Sequence, residues 1–417
     1  MSSQERIVST SSTPFTSMQS WRHHKRIEQR VVGQLLQTLL YEDVLRYEIA
    51  PQSNAACAGN TRFTIKLGSR CYQVNGWLCH SFQLIRLEHS SLITVQQNGA
   101  PASVSLQQFI DDLEGVLGVG AIQPGFVNEL KQTLIKDIQS SACLATYPES
   151  PQRLGADALE HYFTDAHSYH PCYKSRIGFS LQDNQRYGPE FAQPLQVLWL
   201  AVPRHLAHQG AIAGNGFADN QAQGAGQRVL ANLDKYLAQR SLRRNDVVLM
   251  PVHPWQWENA LVQTLYPELA SGEIALLGAG EAEYTAQQSI RTLAPQDISQ
   301  PYLKLAMSIT NTSSTRILAR HTVTNGPIIT QWLQQLLDSD ETASAAGFVI
   351  LGEVAGVALD ERAFPPARYH DIYGKVGAIW RQNISQFLHA GEQAVPFNGL
   401  SQLSRSWEGE PAAPFIA

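Results

Sequence analysis

Residues 62–80 read RFTIKLGSRCYQVNGWLCH. Arg62–Leu67 and Cys71–His80 are short β-rich runs split by Gly68-Ser69, the pattern of two strands joined by a tight turn. Outward from them, Leu84–Glu88 and Leu92–Gln96 repeat the pattern and Asn98-Gly99 closes it, so an antiparallel meander is expected. Before it, Ile27, Val31, Leu35, Leu39, Leu40 and Val44 recur at helical spacing between Arg26 and Tyr47, opposite Glu28, Gln29 and Gln37. That is an amphipathic helix packed on something. After it, helices are expected over about Leu106–Leu117 and Phe126–Leu144. Residues 21–150 therefore read as one α+β domain behind a loose Ser/Thr-rich tail, 1–20. The prolines of Pro148–Arg153 mark its end.

The chain has 417 residues, enough for two or three domains at ~100–200 residues each. With 43% hydrophobic and 16% charged residues it is neither disordered nor fibrous. Its 31 basic and 36 acidic residues nearly balance, at a formal charge of −5, which argues against nucleic acid as the main partner. No apolar run approaches the ~20 residues of a membrane span, and Met1–Ser20 lacks the hydrophobic core of a signal peptide. Cys57, Cys71, Cys79, Cys143 and Cys172 are scattered and form no CxxC pair, which disfavours a disulfide scaffold or a thiolate zinc site. A cytoplasmic globular protein is expected.

Beyond residue 150, strand candidates alternate with helix candidates. Leu195–Val202 and Val247–Val252 read as buried strands, and Tyr302–Ile309, Arg316–Val323 and Phe348–Leu359 as further ones. Gln209–Gln227 reads as a surface loop, Arg228–Arg240 as a helix and Tyr369–His389 as another. Gly214-Asn215-Gly216 lacks the remaining glycine of a dinucleotide fingerprint. The fold class is α/β, of the α+β kind.

Three clusters hold polar residues with no evident local structural job. In the first, His167 and His170 precede Lys174 and Arg176. On an extended strand the two cations would project to one side and suit a phosphate or carboxylate; surface hydrogen bonding, or zinc at the histidines, are the alternatives. The second, Met250–Trp257, runs a strand into a proline-bracketed turn carrying His253, Trp255 and Trp257; such strand ends are favoured ligand positions, though the tryptophans could equally wedge a joint. The third spans Gln287–Leu293 and Lys304–Arg316. Its hydroxyls and amides offer donors to phosphate oxygens, and Arg291, Lys304 and Arg316 offer charge; the other reading is a solvated Ser/Thr-rich turn. No Walker loop, GxSxG elbow or HExxH helix occurs. The residues by themselves point to an electropositive polar pocket for a phosphorylated or polycarboxylate ligand.

In order and spacing these clusters resemble the IucA/IucC family of siderophore synthetases. The matching residues are His167, His170-Pro171, Lys174, Arg176 and Gly178-Phe179; Pro251, His253-Pro254-Trp255-Gln256; Ser289, Arg291-Thr292; and Lys304, Thr312 and Arg316. Ala166 stands where a glycine is common. The resemblance implies an ATP-dependent, AMP-forming ligase for iron acquisition. Such an enzyme adenylates a carboxylate of citrate or a citryl derivative, releases pyrophosphate, and passes the acyl group to an amine or hydroxyl. It implies that Ser289, Arg291, Thr292, Lys304 and Thr312 hold ATP. His170, Lys174, Thr312 and Arg316 would meet the carboxylate, with His170 and Arg316 catalytic. Mg²⁺ would ride on the phosphates, with no protein metal ligand assigned; a homodimer is expected. It further implies a cupped-hand fold with a thumb (21–150), nucleotide-binding fingers (151–368) and a helical palm beginning near 369. The palm segments resembling EAH.QN and a later Arg-Asp are not found, so a palm cut short over 369–417 is expected. The competing readings are a non-catalytic remnant that binds ATP or citrate or only mediates oligomerisation, or an unrelated polycarboxylate-binding protein.

Overall fold

The computed structural model describes residues 23–49, 61–79, 84–96, 99–144, 154–163, 169–214 and 217–396. The expected tail, Asn98, the Pro148–Arg153 joint, His167, Asn215-Gly216 and the last stretch, 401–417, lie outside them. The chain forms two compact units. The first holds residues 1–147, 167–182 and 311–313, and the second holds 148–166, 183–310 and 314–417.

In the first unit a five-stranded sheet runs β1 (Glu48–Ile49), β2 (Thr61–Leu67), β3 (Arg70–Cys79), β4 (Leu84–Leu87), with β5 (Ile93–Gln96) also on β3. Its pairings are antiparallel. Gly68 takes φ +58° in the Gly68-Ser69 turn, a backbone setting that glycine adopts without strain. Phe63, Ile65 and Leu67 alternate inward along β2, the period-2 burial of a one-sided sheet. They pack with Val31, Leu35 and Leu36 of α1 (His24–Tyr41) and Phe109 of α2 (Leu106–Leu117). The helix α1 stops at Tyr41 rather than running to Tyr47, because Asp43 turns left-handed at φ +54°. The long helix α3 (Pro124–Leu144) completes the unit.

The second unit opens with α4 (Ala156–Tyr162). A three-stranded sheet places β6 (Leu198–Pro203) between β8 (Val247–Val252) and β9 (Ala275–Ala279). Every residue of β8 is buried, as its unbroken apolar run predicts. The larger sheet runs β10 (Tyr284–Ala286), β11 (Thr292–Pro295), β12 (Tyr302–Leu305), β16 (Gly377–Arg381), β15 (Glu353–Leu359), β7 (Ala207–Ala211). Its pairings are antiparallel too. A small hairpin joins β13 (Met307–Asn311) to β14 (Ser314–Arg316).

Three expectations need correction here. Residues 209–227 are not a surface loop: 207–211 form edge strand β7, and a helix begins at Phe217, kinked at Gly226 where φ is +76°. The strand expected over Arg316–Val323 ends at Arg316, and Arg320–Ser339 is a helix. Asn325-Gly326-Pro327 inside it disguises the helix in the sequence. The glycines there and in β7 let it lie close on the sheet, since a Cβ on Gly210 would stand 2.4 Å from the Val323 carbonyl oxygen. The helix expected over Tyr369–His389 is only Tyr369–Ile372, followed by β16, whose first four residues are buried. The run Val376–Trp380 is a short apolar strand interleaved with too few polar residues to make a helical face.

Candidate functional site

The second unit carries most of the polar residues of interest on the β10–β11 connection and on β11, β12, β15 and β16. The β10–β11 connection is a tight turn. Ile290 N–H donates to the Gln287 carbonyl (2.7 Å) and Gln287 N–H to that of Thr292 (2.8 Å). The Ser289 hydroxyl accepts from Thr292 N–H at 3.1 Å. Ile290 is buried in a left-handed conformation, φ +69°, a costly setting for a β-branched residue. The helix α4 braces this turn. Its Asp157 accepts from the Gln287 amide (3.1 Å) and the Tyr302 hydroxyl (3.0 Å), and Glu160 accepts from Gln288 N–H (3.1 Å). Burial pushes the Glu160 carboxyl up and the buried His161 imidazole down.

The sheet register sets the charges on one face. Thr292 pairs with Lys304, Lys304 with Ile379, and Arg381 with both Tyr302 and Glu353. Directly paired residues share a face, as do residues two apart. Glu353 accepts from the Lys304 ammonium at 2.9 Å and from Arg381 at 3.4 Å. Arg291, whose guanidinium donates to the Ile317 carbonyl at 2.9 Å, is pushed down to about 10 by burial and by the charges of Arg316 and Arg381. Burial also lowers Arg316 and Lys304; Arg291 and Arg381 press Lys304 down further, while Glu353 pulls it back up. Among the described residues, Arg291, Lys304, Arg316 and Arg381 together with the Glu353 carboxylate make a strongly cationic, partly desolvated site. An anion with several oxygens is what would relieve it.

His170, Lys174 and Thr312 belong to the first unit. The expected extended strand through Lys174 and Arg176 is a turn, and Arg176 takes φ +39°. Lys174 is fully buried, its ammonium 2.6 Å from Asp137 Oδ1 and 3.0 Å from Ser140 Oγ on α3. Asp137 also accepts from Arg30 and, at 2.7 Å, from the Tyr173 hydroxyl. Burial alone would push the Asp137 carboxyl up. The charges of Arg30 and Lys174 and the hydrogen bonds from Lys174 and Tyr173 outweigh it and hold the carboxyl well below the usual range. Lys136, equally buried, donates to the carbonyls of Ser175 (2.8 Å) and Arg176 (2.6 Å). His170 accepts at Nδ1 from Cys172 N–H (3.0 Å), which leaves the proton of the neutral ring on Nε2. Thr312 and Ser313 are left-handed at φ +50° and +57°. Glu129 of α3 holds this turn by accepting from Ser313 N–H (3.3 Å) and Oγ (3.2 Å).

The His253 turn is architecture. His253, Trp255 and Gln256 are buried. His253 Nδ1 accepts from Trp255 N–H (3.1 Å), capping the turn, and burial pushes the imidazole down to about 3, so it stays neutral near pH 7. Gln256 accepts from Ser308 N–H (2.7 Å) and donates to the Lys375 carbonyl (3.0 Å). The end of β8 is thereby tied to β13 and to the segment before β16. For zinc, no group of three His, Cys, Asp or Glu suited to a metal occurs among the described residues.

Residues 155–402 match the IucA / IucC family. The chain belongs to the IucA / IucC family. It is 33% identical over 377 residues to 2-[(L-alanin-3-ylcarbamoyl)methyl]-3-(2-aminoethylcarbamoyl)-2-hydroxypropanoate synthase of Staphylococcus aureus, covering 90% of this chain and 60% of that protein. The petrobactin biosynthesis protein AsbB of Bacillus anthracis superposes with a TM-score of 0.76 at 30% identity, over 91% of this chain and 62% of that one. ATP-bound aerobactin synthetase IucA of Klebsiella pneumoniae shares the fold, with a TM-score of 0.64 at 20% identity over 86% and 61% of the two chains. This IucA/IucC chain thus spans about three fifths of the length of the relatives it matches. Sequence reasoning missed Glu353 and Arg381 as site residues. The available signal was a charge at the end of each of two apolar runs, Glu353 opening β15 and Arg381 closing β16.

Proposed function

We propose that this chain carries the nucleotide site of an ATP-dependent ligase of siderophore biosynthesis, working in the cytoplasm on citrate or a citryl derivative. The observation that supports it is the cation cluster around Glu353, in a family whose members include an ATP-bound synthetase. In the proposed reaction a carboxylate oxygen attacks the α-phosphorus of ATP, and pyrophosphate leaves with the electrons of the broken P–O bond. An amine or hydroxyl then attacks the acyl carbon, loses its proton, and AMP departs.

Two anions meet in the first step, so fixed cations and donors must offset their repulsion. Ser289, Arg291, Thr292 and Lys304 are assigned to the phosphates and Arg316 to the carboxylate at the reacting phosphorus. Thr312 is assigned to both ligands. His170 acts as a donor through Nε2–H rather than as a base. The full burial of Lys174 against Asp137 supports a role for it in bracing the His170-bearing segment on α3 instead of a substrate contact. Mg²⁺ is proposed to enter on the ATP phosphates, keeping most of its water.

A homodimer is proposed as well. Ile328, Ile329, Trp332 and Leu336 stand exposed on the helix Arg320–Ser339. Antiparallel pairing of this helix with its copy would set Arg320 and His321 against Asp338 and Asp340.

Pyrophosphate release from ATP, driven by hydroxylamine as a surrogate nucleophile, tests the reading. Release is expected only with citrate present, and Arg316→Ala should reduce it at least a hundredfold. A folded chain that binds ATP but never releases pyrophosphate would instead support the inert remnant.

A further inference from the structure

Glu353 lies among positive charges. The ammonium of Lys304 lies 2.9 Å from it and the guanidinium of Arg381 3.4 Å. The charged groups acting on Lys304 are Glu353 of β15, Arg291 before β11, and Arg381 of β16. Two of these three favour loss of the lysine proton, as does burial, since the Lys304 side chain is only 18% exposed. Glu353 is itself firmly placed. Its N–H donates to Thr330 Oγ1 (2.9 Å), and Thr330 Oγ1 donates back to the Glu353 carbonyl (3.2 Å). On the preceding residue, Gly352 N–H donates to the Gln382 side chain and the Gly352 carbonyl accepts from Gln382 N–H, both at 3.0 Å. Gly326 leaves room for the carboxylate, because a Cβ there would lie 2.8 Å from Glu353 Oε2. Four hydrogen bonds thus fix the backbone at Gly352 and Glu353, and the Glu353 carboxylate turns one oxygen, Oε1, to both cations.

We infer that Glu353 is the positioning residue of the anion site. While the site is empty it keeps Lys304 protonated and holds Lys304 and Arg381 side by side, ready for an incoming phosphate. The lysine then meets its anion already charged, and anion binding draws no proton from solvent. Without Glu353, the ammonium would keep the repulsion of Arg291 and Arg381 and would shed its proton at a lower pH. Phosphate binding would then draw a proton onto the lysine. The assignment of the anion as ATP phosphate rests on the function proposed above, but the protonation of Lys304 does not.

Two measurements keep these apart. Competitive acetylation of Lys304 across pH 6–11, read by mass spectrometry on the folded chain without nucleotide, gives the midpoint of the Lys304 amine. Glu353→Gln is expected to lower that midpoint by about one pH unit or more, and Glu353→Asp to restore most of it. Gly326→Ala, which crowds the carboxylate, should shift it the same way by less, and it serves if the Gln variant does not fold. An unchanged midpoint in a folded Gln variant would overturn the inference. Calorimetric titration with ATP from pH 7 to 9 is the second measurement. The Gln variant should lose affinity about tenfold more steeply than the parent and take up protons on binding. Should the parent bind no ATP, the nucleotide reading falls while the acetylation result still decides the role of Glu353.

Discussion

Asp137 shows how much one buried carboxylate can organise. It accepts from Arg30, Tyr173 and Lys174, so charge fastens the segment that bears His170 to α3, in addition to the packing of Cys172 and Tyr173 in the apolar core. Removing one partner of a buried pair leaves the other charge uncompensated. Asp137→Asn is therefore expected to cost about 3–5 kcal/mol of stability at pH 7, measured as a drop in the denaturant midpoint. Little of this is visible in the chain itself. Lys174 and Arg176 look like a pair of outward cations at strand spacing, yet Lys174 is internal and Arg176 adopts φ +39°. The missing information was Asp137, 37 residues upstream, whose charge decides where Lys174 points. Glu353 escaped notice for the same reason, since its partners Lys304 and Arg381 come together only through the pairing of β12, β15 and β16.

Among elements, short apolar runs between turn residues were the most legible. Val247–Val252 was expected and found with the same bounds, and Leu106–Leu117 likewise. Where strong breakers sit inside a helix, as Asn325-Gly326-Pro327 do, local propensity misleads, because packing of that helix on β7 and β15 overrides it. The turn after β8 carries a testable pH signature. His253 is neutral in the folded state down to about 3, whereas the unfolded chain protonates it near 6.5. Between those values the unfolded state binds the extra proton, so stability falls on acidification by up to ~1.4 kcal/mol per pH unit. His253→Asn, which can still cap the turn, should lack that slope. Equal slopes for both proteins in denaturant titrations from pH 7 to 4 would contradict the account.

For the whole molecule, the α+β class and the family were legible because both rest on repeated local patterns, strands at regular spacing and motifs in fixed order. The roles of individual charges were not, since they depend on register and burial. The exposed stripe on Arg320–Ser339 predicts self-association. Light scattering should give twice the chain mass of 46.1 kDa, falling to one chain mass in Trp332→Asp. A monomer at micromolar concentration would remove the proposed dimer.

The cations around Glu353 are proposed to serve adenylation of a citrate-like carboxylate. Exchange of labelled pyrophosphate into ATP reports that step alone. Exchange is expected to require citrate and to disappear in Arg316→Ala. Exchange that proceeds equally without citrate, or none at all in a folded chain that binds both ligands, would contradict it.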